Sequence, residues 1–241
     1  MTPGAPAYRL AGVRHRYGGR VVLDVPALEI ARGETLALVG PSGAGKTTLL
    51  RLLQFLEGPT EGQMEYGGAP VVFPVPLATR RTVTTVFQRP LMLDRSVRDN
   101  VAFARRLRGR CDDEDIDTLI GRLALTPLAS APARLLSGGE LQRVALARAI
   151  ATGTEVLLLD EPAANLDPAN VALVESIIRE QQERGSTLVL VTHNVYEAKR
   201  LATRTAVLLD GQLVEAGPTA TVFTSPADPR THAFLRGDLI Y

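Results

Sequence analysis

The run from Gly40 to Thr47 has the residue types and the spacing of a loop that binds the phosphate groups of a nucleotide. Four residues separate Gly40 from Gly45, and Lys46 and Thr47 follow directly. In such a loop the glycines let backbone N–H groups converge on phosphate oxygens, the lysine neutralises the β and γ phosphates, and the threonine hydroxyl binds Mg²⁺. Only two of the 27 Lys and Arg residues are lysines, which favours a specific need for a flexible point charge at Lys46.

A pair of carboxylates follows a second apolar run. The run begins at Val156 and ends at Asp160, and Glu161 comes next. At the end of a buried strand, Asp160 can reach the magnesium shell and Glu161 can polarise a water molecule beside the γ-phosphate. Adjacent acids at a strand end are also typical of a solvated turn, but the phosphate-binding loop upstream favours the catalytic interpretation.

These residues need particular strands and helices to position them. The apolar run Thr35 to Val39 predicts a buried strand before the loop. After Lys46 a helix is predicted to end at Gly58-Pro59, and its apolar face is formed by Leu49, Leu50, Leu52, Leu53 and Leu56. Turn residues and apolar runs predict the other elements: strands over 82–87, 156–160 and 187–192; helices from Ser96 to Gly109, Asp112 to Leu125, Glu140 to Thr152, Asp167 onward and Asn194 to about Arg204; and hairpins at Gly18-Gly19 and Asp210-Gly211.

Alternating strands and helices predict the α/β class with a mainly parallel sheet. The loose alternation from Tyr8 to Ile30 predicts an N-terminal antiparallel β subdomain, and the helices after Gln88 predict an inserted α-helical subdomain. We expect a single domain over residues 1–241, with a core over 1–88 and 154–241 and the helical subdomain over 89–153.

Composition excludes several classes of protein. Of the residues, 45% are hydrophobic and 22% are charged, which is typical of a globular chain and not of a disordered one. The net charge of +1 gives no surplus that favours nucleic acid. No stretch approaches the roughly 18 consecutive apolar residues of a membrane span. Met1 to Leu10 lacks a secretory signal pattern and Cys111 is the only cysteine, so we expect a cytoplasmic protein without an internal disulfide.

The run Leu136-Ser-Gly-Gly-Glu-Leu-Gln-Arg143 resembles the signature motif of the ATP-binding cassette (ABC) family. It lies just before a predicted helix and about twenty residues ahead of Leu159-Asp160-Glu161, as in that family. Small residues at a helix start form an anion site that backbone groups can approach closely. The resemblance covers nearly the whole chain, and it implies a P-loop NTPase core of the RecA-like type.

The resemblance also implies roles for single residues. Gln88 looks like the glutamine that senses Mg²⁺ and the attacking water, and His193 like the switch histidine, so Glu161, His193 and Gln88 form the expected catalytic set. Mg²⁺ is assigned to Thr47, Gln88 and Asp160. Asn165 stands where many members have alanine, in the loop that crosses the dimer and contains Asp167. The residues that the resemblance assigns to ATP binding are Tyr17, Gly40, Pro41, Ser42, Gly43, Ala44, Gly45, Lys46, Thr47 and Thr48. The residues that it assigns to the ATP of the partner subunit are Ser137, Gly138, Gly139 and Glu140.

In that family two cassettes pack head to tail and share two ATP molecules. We therefore expect a homodimer that hydrolyses ATP, with Glu161 as general base. Because no membrane span is present in the sequence, integral membrane permease subunits must be separate polypeptides, and an extracytoplasmic solute-binding protein acts indirectly. The chain would then lie at the cytoplasmic face of the inner membrane.

Three parts of the chain resemble the ATPase subunits of tungstate-type oxyanion importers: Leu53 to Thr60, Val86 to Pro90 followed by Ser96 to Val101, and Thr231 to Tyr241. Tungstate is the first choice of solute, and phosphate, molybdate and polar amino acids are the alternatives. A soluble ABC ATPase that acts on DNA or ribosomes, and a regulatory binder that does not hydrolyse ATP, are the other classes considered. The near-zero net charge disfavours a nucleic-acid partner, and the presence of Glu161 and His193 disfavours the non-hydrolysing binder.

Overall fold

The computed structural model describes residues 4–109 and 114–238. Ten strands of these residues form one sheet: β1 (Tyr8–Tyr17), β2 (Arg20–Ile30), β3 (Thr35–Val39), β4 (Glu61–Tyr66), β5 (Ala69–Pro70), β6 (Val83–Val86), β7 (Val156–Asp160), β8 (Thr187–Thr192), β9 (Arg204–Leu209) and β10 (Gln212–Pro218). The described helices are α1 (Lys46–Leu53), α2 (Leu77–Arg80), α3 (Val97–Arg106), α4 (Glu114–Arg122), α5 (Gly138–Ala151), α6 (Pro168–Glu183), α7 (Val195–Leu201), α8 (Thr219–Thr224) and α9 (Pro229–Arg236).

The strand order is β5-β4-β1-β2-β10-β9-β3-β8-β7-β6, and the sheet is mixed. From β9 to β6 all neighbouring strands are parallel, whereas β1 pairs antiparallel with both β2 and β4. All five residues of β3 are buried, because helices cover both faces of a parallel sheet. The predicted α/β class, the parallel core and the N-terminal antiparallel sheet are confirmed.

Helices α3, α4 and α5 lie between β6 and β7 in the chain, as the inserted block requires. Their apolar faces join one buried cluster that includes Val101, Ile120 and Val144 and continues to Leu157 in the sheet. The proposed division at residues 89 and 153 stays a prediction.

Several helices end earlier than the sequence predicts, among them α3, which ends at Arg106 and not at Gly109. Helix α1 ends at Leu53, and Leu56, which the sequence pattern places on its apolar face, lies beyond it and is half exposed. Phe55 follows the helix with a φ of 60° and is itself buried. Helix α7 ends at Leu201, because the chain enters β9 at Arg204.

Some elements have no sequence pattern that predicts them, and some predicted residues lie outside the described ranges. Strands β4 and β5 and helices α2, α8 and α9 were not predicted. Helix α4 covers only the middle of the predicted helix from Asp112 to Leu125. Asp112 and Cys111 lie outside the described residues.

Candidate active site

The phosphate-binding loop connects β3 to α1, as predicted. Only glycine is tolerated at position 40, because a Cβ atom there would lie 2.1 Å from the backbone oxygen of Leu208 in β9. Gly45 is the N-cap of α1 and has a φ of 95°, a left-handed conformation that favours glycine. The loop therefore packs tightly against the sheet and directs the helix N-terminus, with its partial positive charge, toward the cleft.

Lys46 is buried at the base of this loop. Its Nζ donates hydrogen bonds to the backbone oxygens of Gly40 at 2.7 Å and Pro41 at 2.8 Å. Burial lowers the pKa of Lys46, and the nearby carboxylates of Glu161 and Asp160 partly oppose that shift. The ammonium group is thus a poorly solvated cation, which gives it a strong attraction for phosphate oxygens.

The carboxyl ends of β3, β6, β7 and β8 meet at one edge of the sheet, which is where ligands bind in open α/β sheets. Glu161 follows β7, and its backbone N–H donates to the Val191 oxygen of the neighbouring strand at 2.9 Å. Its Oε2 accepts a hydrogen bond from Gln88 Nε2 at 2.7 Å, and its Oε1 lies 3.0 Å from His193 Nδ1. Glu161 therefore contacts both of the other residues expected to be catalytic.

Asp160 ends β7 and is partly buried beside Glu161. Burial raises the pKa of Asp160, the charge of Glu161 raises it further, and Lys46 partly lowers it. The charged form of this partly desolvated carboxylate would be stabilised by any cation that enters the cleft.

A cleft of about 700 Å³ unites most of the predicted nucleotide-site residues. Gly40 and Pro41 lie behind it in the loop, and Ser137, Gly138, Gly139, Glu140 and Asp167 do not line it. Val22 and Val191 also line it and were not predicted, because apolar residues in strands carry no signal of a site. The full lining is Tyr17, Val22, Ser42, Gly43, Ala44, Gly45, Lys46, Thr47, Thr48, Gln88, Asp160, Glu161, Asn165, Val191 and His193.

Ser137 is the N-cap of α5 and forms a capping box with Glu140. Glu140 Oε2 accepts hydrogen bonds from the backbone N–H and the hydroxyl of Ser137, both at 2.7 Å, and these bonds lower the pKa of Glu140. Gly139 packs against α6, since a Cβ atom on it would lie 3.4 Å from Asn170 Nδ2. The motif is thus a rigid helix start, separate from the cleft of the same chain.

Asp167 caps the next helix, α6, as predicted. Its Oδ1 accepts from the backbone N–H groups of Ala169 at 3.0 Å and Asn170 at 3.1 Å. The hydrogen bonds from the Asn170 backbone and side chain are the main reason why the pKa of Asp167 is lowered.

The sequence profile described as ABC transporter matches residues 23–164, which contain the phosphate-binding loop, the signature motif, Asp160 and Glu161. The chain belongs to the ABC transporter family. This ABC ATPase binds and hydrolyses ATP.

Relatives of the ABC ATPase match nearly its whole length. Phosphate import ATP-binding protein PstB 2 of Natronomonas pharaonis is 42% identical, covering 96% of this chain and 87% of that protein. A probable anion import ATP-binding protein of Haloferax volcanii is 42% identical, covering 94% and 85%. Tungstate uptake system ATP-binding protein TupC of Peptoclostridium acidaminophilum is 38% identical, covering 86% and 96%. The solved structure of CbiO1 from Clostridium perfringens, part of the ABC transporter complex CbiONQ, has a TM-score of 0.82 at 26% identity and covers 92% of each chain.

The donor set of the ABC ATPase fits Mg²⁺ that arrives with a nucleotide. Thr47, Gln88 and Asp160 all line the cleft and offer oxygen donors, which Mg²⁺ prefers. Within residues 4–109 and 114–238, no group of three or more His, Cys, Asp or Glu side chains is arranged to hold a metal ion alone. Phosphate oxygens and water would therefore complete the coordination. In the same two ranges no helix is long and apolar enough to span a membrane.

Proposed function

We propose that the ABC ATPase is the homodimeric motor of an oxyanion importer and lies at the cytoplasmic face of the cell membrane. One observation carries the dimer: the nucleotide cleft and the signature motif lie at separate places on the same chain. Two chains packed head to tail would place Ser137 and Gly139 of one subunit over the cleft of the other. Each ATP would then be bound between the two chains.

In each cleft the protein residues have distinct tasks. Lys46 and the N–H groups at the start of α1 bind the phosphates, and Tyr17 stacks on the adenine. Glu161 orients the attacking water and accepts its proton while the bond between the γ-phosphorus and the bridging oxygen breaks. His193 contacts the γ-phosphate, and Gln88 orients the water together with Glu161. Thr47, Asp160 and Gln88 would hold Mg²⁺, which would supply positive charge beside the γ-phosphate.

The transported solute belongs to the oxyanions. Three relatives that cover most of the chain are named for import of phosphate, of an anion and of tungstate, and these names support the class. Tungstate remains the first choice from the sequence resemblance, and the relative named for phosphate is the more similar. The solute itself would contact a solute-binding protein and permease subunits, not this chain.

A membrane subunit needs a surface on which to transmit the motion. The segment around Gln88 offers exposed apolar residues: Phe87, just before it, is 47% exposed and Leu91, three residues after it, is 86% exposed. Arg148 Nη1 donates to the Leu91 oxygen at 2.9 Å, which ties this segment to α5 and so to the signature motif. We assign the permease contact to this segment.

Two experiments test the proposal. The dimer is tested by mixing a Lys46→Ala chain with a Ser137→Arg chain: neither is active alone, but mixed dimers have one intact composite site and recover part of the activity. No recovery of activity on mixing would contradict the shared site.

For the solute, the ATPase is reconstituted with its permease in liposomes, and ATP hydrolysis is measured with solute-binding protein loaded with tungstate, molybdate, phosphate or glutamate. Stimulation by an oxyanion is expected, and stimulation by glutamate alone would overturn the oxyanion class.

A further inference from the structure

We propose that Glu57 and His15 are positioning residues that hold the ring of Tyr17 in the orientation that stacks on the adenine base. This inference rests on the proposed role of Tyr17 and goes beyond it, because neither Glu57 nor His15 lines the nucleotide cleft. Both act on the base through the tyrosine.

The carboxylate of Glu57 is the centre of the arrangement. The Tyr17 hydroxyl donates a hydrogen bond to it. Arg51 Nη1 lies 3.4 Å from Glu57 Oε1 and 3.4 Å from the Tyr17 hydroxyl oxygen. His15 Nε2 lies 3.1 Å from Glu57 Oε2. A single carboxylate therefore fixes the polar end of the Tyr17 ring.

His15 fixes the ring at a second place. Its imidazole meets the ring of Tyr17 edge to face, with the centroids 4.8 Å apart and an interplanar angle of 84°. His15 is 7% exposed, so its own position is set by packing, whereas Tyr17 is 42% exposed and lines the cleft. With both contacts in place, the ring has little rotational freedom left to lose when a base binds.

The helix that begins at the phosphate-binding loop also carries Glu57 to Tyr17. Helix α1 begins at Lys46 and ends at Leu53, and the left-handed conformation of Phe55 reverses the chain. The Tyr8 hydroxyl donates to the Leu53 oxygen at 2.8 Å, and Tyr8 and Phe55 lie in one buried aromatic cluster, which anchors the reversal. The phosphate end and the base end of the site are thus joined by one rigid segment.

This arrangement separates binding from chemistry. Loss of the Glu57 carboxylate frees the ring of Tyr17 but leaves Glu161, Lys46 and the loop unchanged. Loss of a charge-assisted hydrogen bond therefore weakens base recognition, and we expect Glu57→Gln to raise the KM for ATP about fivefold with kcat within about twofold of native. A merely structural role for Glu57 would lower the melting temperature and the affinity for every phosphate ligand together.

The test measures KM, kcat and the dissociation constants of Mg-ATP and inorganic tripolyphosphate for native protein, Tyr17→Phe, Glu57→Gln and the double variant. Both single variants should lower the affinity for ATP and leave the affinity for tripolyphosphate unchanged. The double variant should bind ATP no more weakly than the weaker of the two single variants, because the two residues make one interaction. Glu61→Gln is the matched control: Glu61 pairs with Arg16 Nε at 3.2 Å on the neighbouring strand and should have no effect.

The two ways of failing are distinguishable through Tyr17→Ala. If Tyr17→Ala lowers the affinity for ATP relative to that for tripolyphosphate and Glu57→Gln does not, the positioning role of Glu57 is overturned and the stacking role of Tyr17 stands. If Tyr17→Ala leaves that ratio unchanged, the stacking role itself is wrong, and the positioning role is overturned with it.

Discussion

Replacement of Glu161, the proposed general base, by glutamine removes the basicity of the side chain and keeps its contacts. In the Glu161→Gln variant, the new side chain would keep its length and one oxygen to accept from Gln88 Nε2, which lies 2.7 Å from Oε2 of the native carboxylate. Its amide group could face His193 Nδ1, which lies 3.0 Å from the native Oε1. The backbone bond to Val191 is independent of the side chain. Fold and ATP affinity should therefore change little, and we expect the dissociation constant for ATP to stay within about threefold of native, since the hydrogen-bonding geometry is retained.

Turnover of Glu161→Gln should fall much further. A positioned general base contributes about 10²–10⁴-fold, so kcat should fall by that factor, equivalent to about 2.7–5.4 kcal/mol of barrier. Steady-state phosphate release and equilibrium nucleotide binding measure the two quantities. Glu155→Gln is the control, because Glu155 lies at the opposite end of β7, exposed and 3.7 Å from Arg32. If Glu161→Gln turns over within about threefold of native, Glu161 is not the base.

Further expectations concern the loop and the ion pairs. Gly40→Ala should lower the free energy of unfolding by about 2–3 kcal/mol through the clash with the Leu208 backbone oxygen. Gly43→Ala, whose Cβ meets no atom within 4 Å, should lower it by only about 1 kcal/mol through its φ of 81°; equal losses in urea unfolding would contradict this. Burial raises the pKa of Glu175, but its ion pairs, mainly with Arg200, outweigh burial and lower it. Because the pKa of Glu175 is lower in the folded than in the unfolded state, its ionised form stabilises the fold at pH values above the unfolded-state pKa. This stabilisation is lost as the pH falls through the folded-state pKa. Glu175→Gln should therefore cost about 1–3 kcal/mol at pH 7, with the gap closing below about pH 4; a gap independent of pH would refute the assignment.

The central part of the fold could be predicted from the sequence because its signals are local. Residues 35–48 contain a continuous apolar run, a glycine-rich loop and the start of an amphipathic helix, and each predicts one element. The sequence also predicts that Lys46, Asp160 and His193 converge, because each lies at the carboxyl end of a parallel strand or in the segment that follows it. Local pattern and topology agree at this edge.

The remainder depends on contacts between distant segments. Strand β4 has the sequence Glu-Gly-Gln-Met-Glu-Tyr, in which only Met64 and Tyr66 are buried. This sequence is too polar to predict a strand, and the segment forms one because it pairs with β1. The early end of α1 at Leu53 depends on the aromatic contacts of Phe55, which no spacing rule reveals. For the same reason the contact between Glu57 and Tyr17 was not predicted.

If ATP hydrolysis by this chain drives oxyanion uptake, loss of hydrolysis should stop the accumulation of the solute in cells. The native host carries either Lys46→Ala or the control Lys199→Ala, the other lysine, which is exposed and has its Nζ 4.8 Å from the ring centroid of Phe223. Tungsten and molybdenum are measured by elemental mass spectrometry at trace supply, and phosphate by radiolabel. We expect Lys46→Ala, and not Lys199→Ala, to abolish accumulation of at least one oxyanion, with tungstate the first choice. Unchanged accumulation of all three in the Lys46→Ala cells would contradict the claim.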